Sequence, residues 1–99
     1  MRVNINSIHF KADKKLLEFI NEKIEKLGII YDGVLGSEVS LKLENSDDRD
    51  NKVAEIRLII PGYDLYAKKQ SKSFEESTDI AIEALRRQLK KHKEKVHRH

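Results

Sequence analysis

Apolar residues along this chain fall into two periods, and each switch between them marks an element. Val3 and Ile5 alternate with Asn4 and Asn6, the two-residue period of a strand with one buried face. The phase breaks near Ser7, ahead of Phe10. Asp13 then stands as an N-cap before Leu16, Leu17, Ile20, Ile24 and Leu27, which share one stripe of an amphipathic helix, with Phe19 at its border and Gly28 expected to close it. The segment Ile29 to Gly36 holds Gly33 and Gly36 among apolar residues and predicts a connection with a turn. Val39, Leu41 and Leu43 alternate with Ser40, Lys42 and Glu44 as a second strand. After the polar, acidic run NSDDRDN comes a third, with Ala54, Ile56, Leu58 and Ile60 inward and Glu55 and Arg57 outward. Pro61 and Gly62 suit the central positions of a type II turn, since proline presets a negative φ and glycine accepts the positive one. A short fourth strand follows, with Leu65 and Ala67 inward and Tyr66 and Lys68 outward, and Lys69, Gln70, Ser71 and Lys72 lead out of it.

The last element is a long helix. Phe74, Thr78, Ala81, Ile82, Leu85, Leu89 and Val96 recur at three- and four-residue steps and form its apolar stripe. Ser73, with Glu76 three residues on, predicts a capping box, in which the serine oxygen accepts a helix N–H and the glutamate returns the bond. Glu75, Glu76 and Asp79 occupy the first turns and basic residues the last, as the helix dipole prefers. Arg86, Lys90, Lys93 and His97 sit about a quarter turn from the stripe, at ~100° per residue, and Arg87, Lys91 and Lys95 carry the positive surface to the far side.

The predicted order is β-α-β-β-β-α, an α+β sandwich with both helices on one face of a four-stranded sheet. The first two strands pair in parallel across a helical crossover and the rest form an antiparallel meander. The outer face of the sheet is polar enough to stay wet. No repeat or linker divides the chain, so residues 1–99 are expected to make one domain.

Charge changes this picture more than composition does. The formal net charge is only +3, but acidic residues cluster at positions 44 to 50 and basic ones at 86 to 98. Between Arg86 and Arg98 only Glu94 opposes the basic side chains. A solvated helix end is the ordinary account of lysines at a C-terminus; this density is what points to an anionic partner. Lys23 and Lys26 on the first helix stand beside Glu22 and Glu25, and on spacing alone read as a mixed solvated face.

Enzymatic chemistry finds little support. The chain has no cysteine, which removes disulfides, thiolate zinc sites and cysteine nucleophiles, and fits a reducing compartment. The N-terminus alternates in polarity, with no apolar run of signal-peptide or membrane-span character, so a cytoplasmic location is expected. Asp48, Asp50 and Asn51 lack the central glycine and closing glutamate of a calcium loop. His92, His97 and His99 lack metal-site spacing and are read as solvated or phosphate-facing. No glycine-rich phosphate loop or nucleophile elbow occurs. Phe10, Phe19 and Phe74 do not fit the aromatic signature of the commonest RNA-binding sheet and are assigned to the core. No catalytic residue, metal, cofactor or small-molecule substrate is expected.

The order of elements, the run E-K-I-E-K-L at Glu22 to Leu27, and above all D-I-A-I-E-A-L-R-R-Q-L-K-K-H-K-E-K at Asp79 to Lys95 resemble the ribosome hibernation promoting factor and ribosome-associated inhibitor family, also called the sigma-modulation proteins. The resemblance covers essentially the whole chain. It implies binding to the small ribosomal subunit between head and body, over the messenger path and tRNA sites, with translation stopped in starved or stationary cells. In matching positions it implies that Arg86, Arg87, Lys90, Lys91 and Lys93 face ribosomal RNA phosphates, with Lys23 and Lys26 on the same surface and Lys68, Lys69 and Lys72 beside it. The protein is then expected to be monomeric off the ribosome and to be a short form, without the C-terminal dimerisation domain of long members. Two positions depart from the family's pattern. Ser73, Phe74 and Glu75 stand where it often has Asp-Met-Tyr, so no contact of that tyrosine is implied here, and Ser7 stands where it often has glycine. A protein-interaction module, docking the basic helix on an acidic protein partner, is the alternative from another class.

Overall fold

The computed structural model describes residues 1–44 and 49–96. Asp47 and Asp48 of the acidic run, and His97, Arg98 and His99, lie outside the described residues. Strand β1 (Arg2–Ser7) leads to helix α1 (Lys14–Ile30); β2 (Gly36–Leu43), β3 (Lys52–Ile60) and β4 (Tyr63–Ser71) follow, and helix α2 (Phe74–Val96) ends the described chain. The sheet runs in the order β1-β2-β3-β4, with β1 parallel to β2 and the other neighbours antiparallel. This is the expected α+β architecture. Helix α2 packs on β3 and β4, while α1 packs against α2 and β1.

A single apolar cluster explains the arrangement. Ile20, Ile24 and Leu27 of α1, Val39 and Leu41 of β2, Ile56 and Leu58 of β3, and Leu85 and Leu89 of α2 are all essentially without solvent access and join one core. Fully burying a side chain of this kind is worth about 1.5–3 kcal/mol. Phe10 and Phe74 stack at 4.9 Å and 6° and pack with Phe19 against the cluster, as the core assignment expected. Asp13 caps α1 by accepting the Leu16 N–H at 2.8 Å. Gly62, with φ of 96°, makes the tight turn between Ile60 and Tyr63, where a side chain would be strained.

Three boundaries differ from the expectation. Gly28 does not end α1, which continues to Ile30. Among the described glycines only Gly62 has positive φ, so Gly28 keeps helical geometry and Tyr31 terminates the helix instead, donating to Leu27 O at 3.4 Å. Strand β4 is not short. Its pairing with β3 runs from Ile60 and Tyr63 to Lys52 and Ser71, so Lys69, Gln70 and Ser71 belong to the strand. Val96 is exposed, because the apolar stripe of α2 leaves the core after Leu89.

The start of α2 is tied down by serines. Ser73 Oγ accepts the Glu76 N–H at 3.1 Å, half of the capping box. The Ser73 N–H reaches Ser71 Oγ at 3.4 Å, where the Glu76 side chain was expected. Ser71 and Ser77 are buried with their hydroxyls 2.9 Å apart, and Ser77 Oγ also lies 2.6 Å from Lys52 O and 3.0 Å from Ser73 O. The knot joins the end of β4, the start of β3 and the first turn of α2.

Candidate nucleic-acid interface

The cations of α2 divide between its two flanks because 3.6 residues per turn places successive basic residues on opposite sides of the buried stripe. On the flank toward α1 lie Arg86, Lys90 and Lys93. Lys90, Lys93 and Glu94 of α2 face Ile30 of α1 across a shallow groove of about 350 Å³. Lys93 Nζ donates to Ile30 O at 3.1 Å, where α1 leaves carbonyls without helical partners. Further along, Lys23 Nζ stands 3.4 Å from Asp79 Oδ1 and 5.3 Å from the Phe19 ring centroid. Lys26 follows Lys23 by three residues on the same side of α1 and is exposed. Arg86 is half-buried, with its Nε 3.6 Å from Glu83 Oε1 and without a hydrogen-bond partner among the described residues. Lys90 is exposed.

On the other flank Arg87 and Lys91 are exposed, and with Ala84 and Gln88 they border a groove of about 260 Å³ beside β4. Gln88 Nε2 donates to Tyr66 O at 3.0 Å and fixes this flank to the strand. The structure thus brings Lys90 and Lys93 together at the groove beside Ile30, sets Lys23 against Asp79 nearer the start of α2, and keeps Arg87 and Lys91 on the flank toward β4.

The three lysines of the fourth strand and its exit do not sit together beside that groove. The strand pleat puts Lys68 on the sheet face opposite the helices, 3.7 Å from Glu55 Oε1. Lys69 lies on the helix-bearing side of β4, and Lys72 follows the strand's end; both are exposed near the start of α2. Lys72 lies before α2, whose first residue, Phe74, precedes Lys90 by 16 positions, or about 24 Å at 1.5 Å per residue. Lys69 and Lys72 are thus separated from the basic end of α2 by the acidic first turns of that helix, which carry Glu75, Glu76, Asp79 and Glu83.

The outer sheet face shows how different a balanced surface looks. Arg57 lies 3.6 Å from Glu38 and 3.7 Å from Asp64, and Glu55 lies 3.7 Å from both Lys42 and Lys68. Each charge there meets its opposite across the strands. The Tyr66 phenol is held above its ordinary pKa, first by loss of hydration and then by the Glu55 carboxylate, to which it donates at 3.3 Å.

One functional-looking cluster escaped the sequence reading. His92 is half-buried and not simply solvated: its Nδ1 is 2.5 Å from Tyr63 Oη, and its ring meets Tyr63 and Tyr31 edge-on at 5.3 and 5.2 Å. The available signal was spacing, since His92 follows Leu85 and Leu89 on the same stripe. Among the described residues no group of three or more histidine, aspartate or glutamate side chains is placed to hold a metal ion, and no helix is long and apolar enough to cross a membrane.

Known proteins share this architecture. A ribosomal subunit interface protein from Coxiella burnetii matches with a TM-score of 0.82 at 17% identity, over 94% of this chain and 98% of that one. The N-terminal domain of Protein Y from Thermus thermophilus matches with a TM-score of 0.80 at 20% identity, over 93% and 99%. In sequence, the chain is 30% identical over 95 residues to the ribosome hibernation promoting factor of Pseudomonas putida, covering 96% of this chain and 89% of that protein. It is 28% identical over 99 residues to the ribosome hibernation promoting factor of Escherichia coli strain K12, covering both in full. The model of the family described as Sigma 54 modulation protein / S30EA ribosomal protein matches residues 3–97, and the chain belongs to that family.

Proposed function

We propose that this protein is a cytoplasmic ribosome hibernation factor that binds the small ribosomal subunit as a monomer and stops translation by occupying the messenger and tRNA path. The observation that carries the reading is the row of exposed cations Lys26, Arg87, Lys90 and Lys91, set along two packed helices whose partner residues are already satisfied within the fold. The names of the curated relatives, ribosome hibernation promoting factors, support the biological role.

The mechanism is electrostatic and steric. Lysine and arginine displace counterions condensed on structured RNA, and a rigid domain then blocks a channel by filling it. No bond is made or broken. Arg87 offers a planar fork to phosphate and is exposed, so it sets orientation, while Lys90 and Lys91 act as mobile point charges. Arg86 is half-buried and holds the groove's edge as much as it faces outward.

Titrating labelled protein onto purified small subunits at several potassium concentrations tests the reading. Neutralising roughly five phosphates gives a slope of log affinity against log salt of about −3 to −5. A slope near zero overturns it. The family's description also names sigma 54 modulation, which favours a second reading in which the basic helix docks on an acidic protein. Binding that survives nuclease treatment of the partner would select that reading.

A further inference from the structure

Tyr31, Tyr63 and His92 come from three separate elements and meet at the end of the protein where α2 carries its last lysines. We propose that Tyr63, braced by His92 and Tyr31, is a stacking platform for an unpaired RNA base whose flanking phosphates fall to Lys91 and Lys95. The proposal rests on the ribosomal RNA reading above and adds a base contact to its phosphate contacts.

The pleat of β4 decides where Tyr63 points. It is the first residue of the strand and shares the side of Leu65 and Ala67, facing α2, but it lies beyond the core and is 50% exposed. Its hydroxyl meets His92 Nδ1 at 2.5 Å, and the two rings stand at 78°. His92 engages the tyrosine hydroxyl, and half of the Tyr63 side chain stays open to solvent. His92 is held in turn by Tyr31, at 72°. Tyr31 packs on the core, and Gly33 leaves room for it: a Cβ at that position would collide with the Tyr31 ring. The exposed ring is therefore fixed before any partner arrives, so little freedom is lost on binding.

Charge around the ring favours a nucleic acid. Lys91 and Lys95 are exposed on the flank of α2 turned toward β4, and Lys95 is three residues beyond His92. Asp64, next to Tyr63, points to the other sheet face and is held 3.7 Å from Arg57. Glu94 stands on the opposite flank of α2 with Lys90 and Lys93. A half-exposed aromatic ring with cations to one side, and with Asp64 and Glu94 turned away, fits an unstacked base with its backbone. The other tyrosine on β4, Tyr66, is bonded to Glu55 on the balanced face and offers no such site.

The test uses purified small subunits and four forms of the whole chain: wild type, Tyr63→Ala, Tyr63→Phe and Tyr63→Trp. Stacking on an aromatic ring predicts about a tenfold loss of affinity for Tyr63→Ala with the salt slope unchanged, and affinity within about threefold of wild type for Tyr63→Phe. Lys91→Ala and Lys95→Ala instead each lower the slope by about one. The chain has no tryptophan, so Tyr63→Trp supplies its one tryptophan, and that residue's fluorescence, read as the difference from a wild-type titration on the same subunits, is expected to be quenched on binding. Circular dichroism melts confirm that each variant is folded, and the tryptophan signal stands if Tyr63→Ala disturbs the turn. Wild-type affinity for Tyr63→Ala, or unquenched tryptophan in the bound state, overturns the platform. A loss that persists against RNA-stripped ribosomal proteins also overturns it, because the ring then meets protein. If wild type itself fails to bind, the ribosomal reading fails first and the platform falls with it.

Discussion

The two halves of α2 behave as different molecules joined end to end. From Phe74 to Leu85 the helix is acidic on its exposed side, through Glu75, Glu76, Asp79 and Glu83, and its other side is sunk into the core and the serine knot. From Arg86 to Val96 the exposed side is basic, and after Leu89 nothing of the helix belongs to the core. The acidic half suits its own dipole and stays on the fold. The basic half suits the dipole too, yet it carries more cations than a helix end can use, since that effect fades within the last turn. The difference separates residues that hold the protein together from residues left over for a partner.

The comparison breaks most visibly at the seam. Leu85→Asp or Leu89→Asp should unfold the protein, because both side chains are fully buried and an unpaired carboxylate there costs far more than the lost methylenes. A native circular dichroism melt for both variants would mean that the seam does not hold the fold. Next in size is charge reversal in the basic half. Arg87→Glu with Lys90→Glu should abolish small-subunit binding and inhibition of a cell-free translation reaction, with a thermal midpoint close to wild type, since exposed charges add little stability. Arg86→Glu is a poorer test. It places a carboxylate beside Glu83 in a half-buried position, so it should lower the midpoint as well.

Two smaller effects sharpen the boundary. Ser77→Ala should destabilise the protein by about 1–3 kcal/mol, because Lys52 O and Ser71 Oγ lose a buried partner, and ribosome affinity of the folded fraction should not change. Chemical denaturation alongside a binding titration measures both. Lys68→Ala should leave affinity unchanged within error, in contrast to Lys90→Ala, because Lys68 belongs to the balanced sheet face with Glu55. Equal losses from the two lysines would show that the outer face binds too.

Much of this was readable from single residues, and the failures have identifiable causes. The stripe of Leu85 and Leu89 and the cap at Asp13 depend on neighbours within four residues, and both appear in the structure. Gly28 reads as a helix end, but glycine permits one without requiring it, and the backbone there stays helical. The strand period already points Lys68 outward, and only the resemblance sets it beside the helix lysines; that its ammonium meets Glu55 depends on pairing with β3 and is not readable from the sequence. His92 reads as solvated or phosphate-facing in the sequence because its partners Tyr31 and Tyr63 are distant along the chain.

The amino-acid sequence by itself determined the periods, the N-cap at Asp13, the Pro61–Gly62 turn and the segregation of charge along the chain, all of which are set by local geometry and by side-chain chemistry. The tertiary structure decided which charges are already answered inside the protein. Lys23 meets Asp79, Lys68 meets Glu55 and Lys93 meets the Ile30 carbonyl only after helices and strands have packed. Ion pairs and aromatic clusters depend on distances of a few ångströms between residues tens of positions apart. Packing sets those distances, so the cations still open to a partner can be told from the rest only in the folded chain.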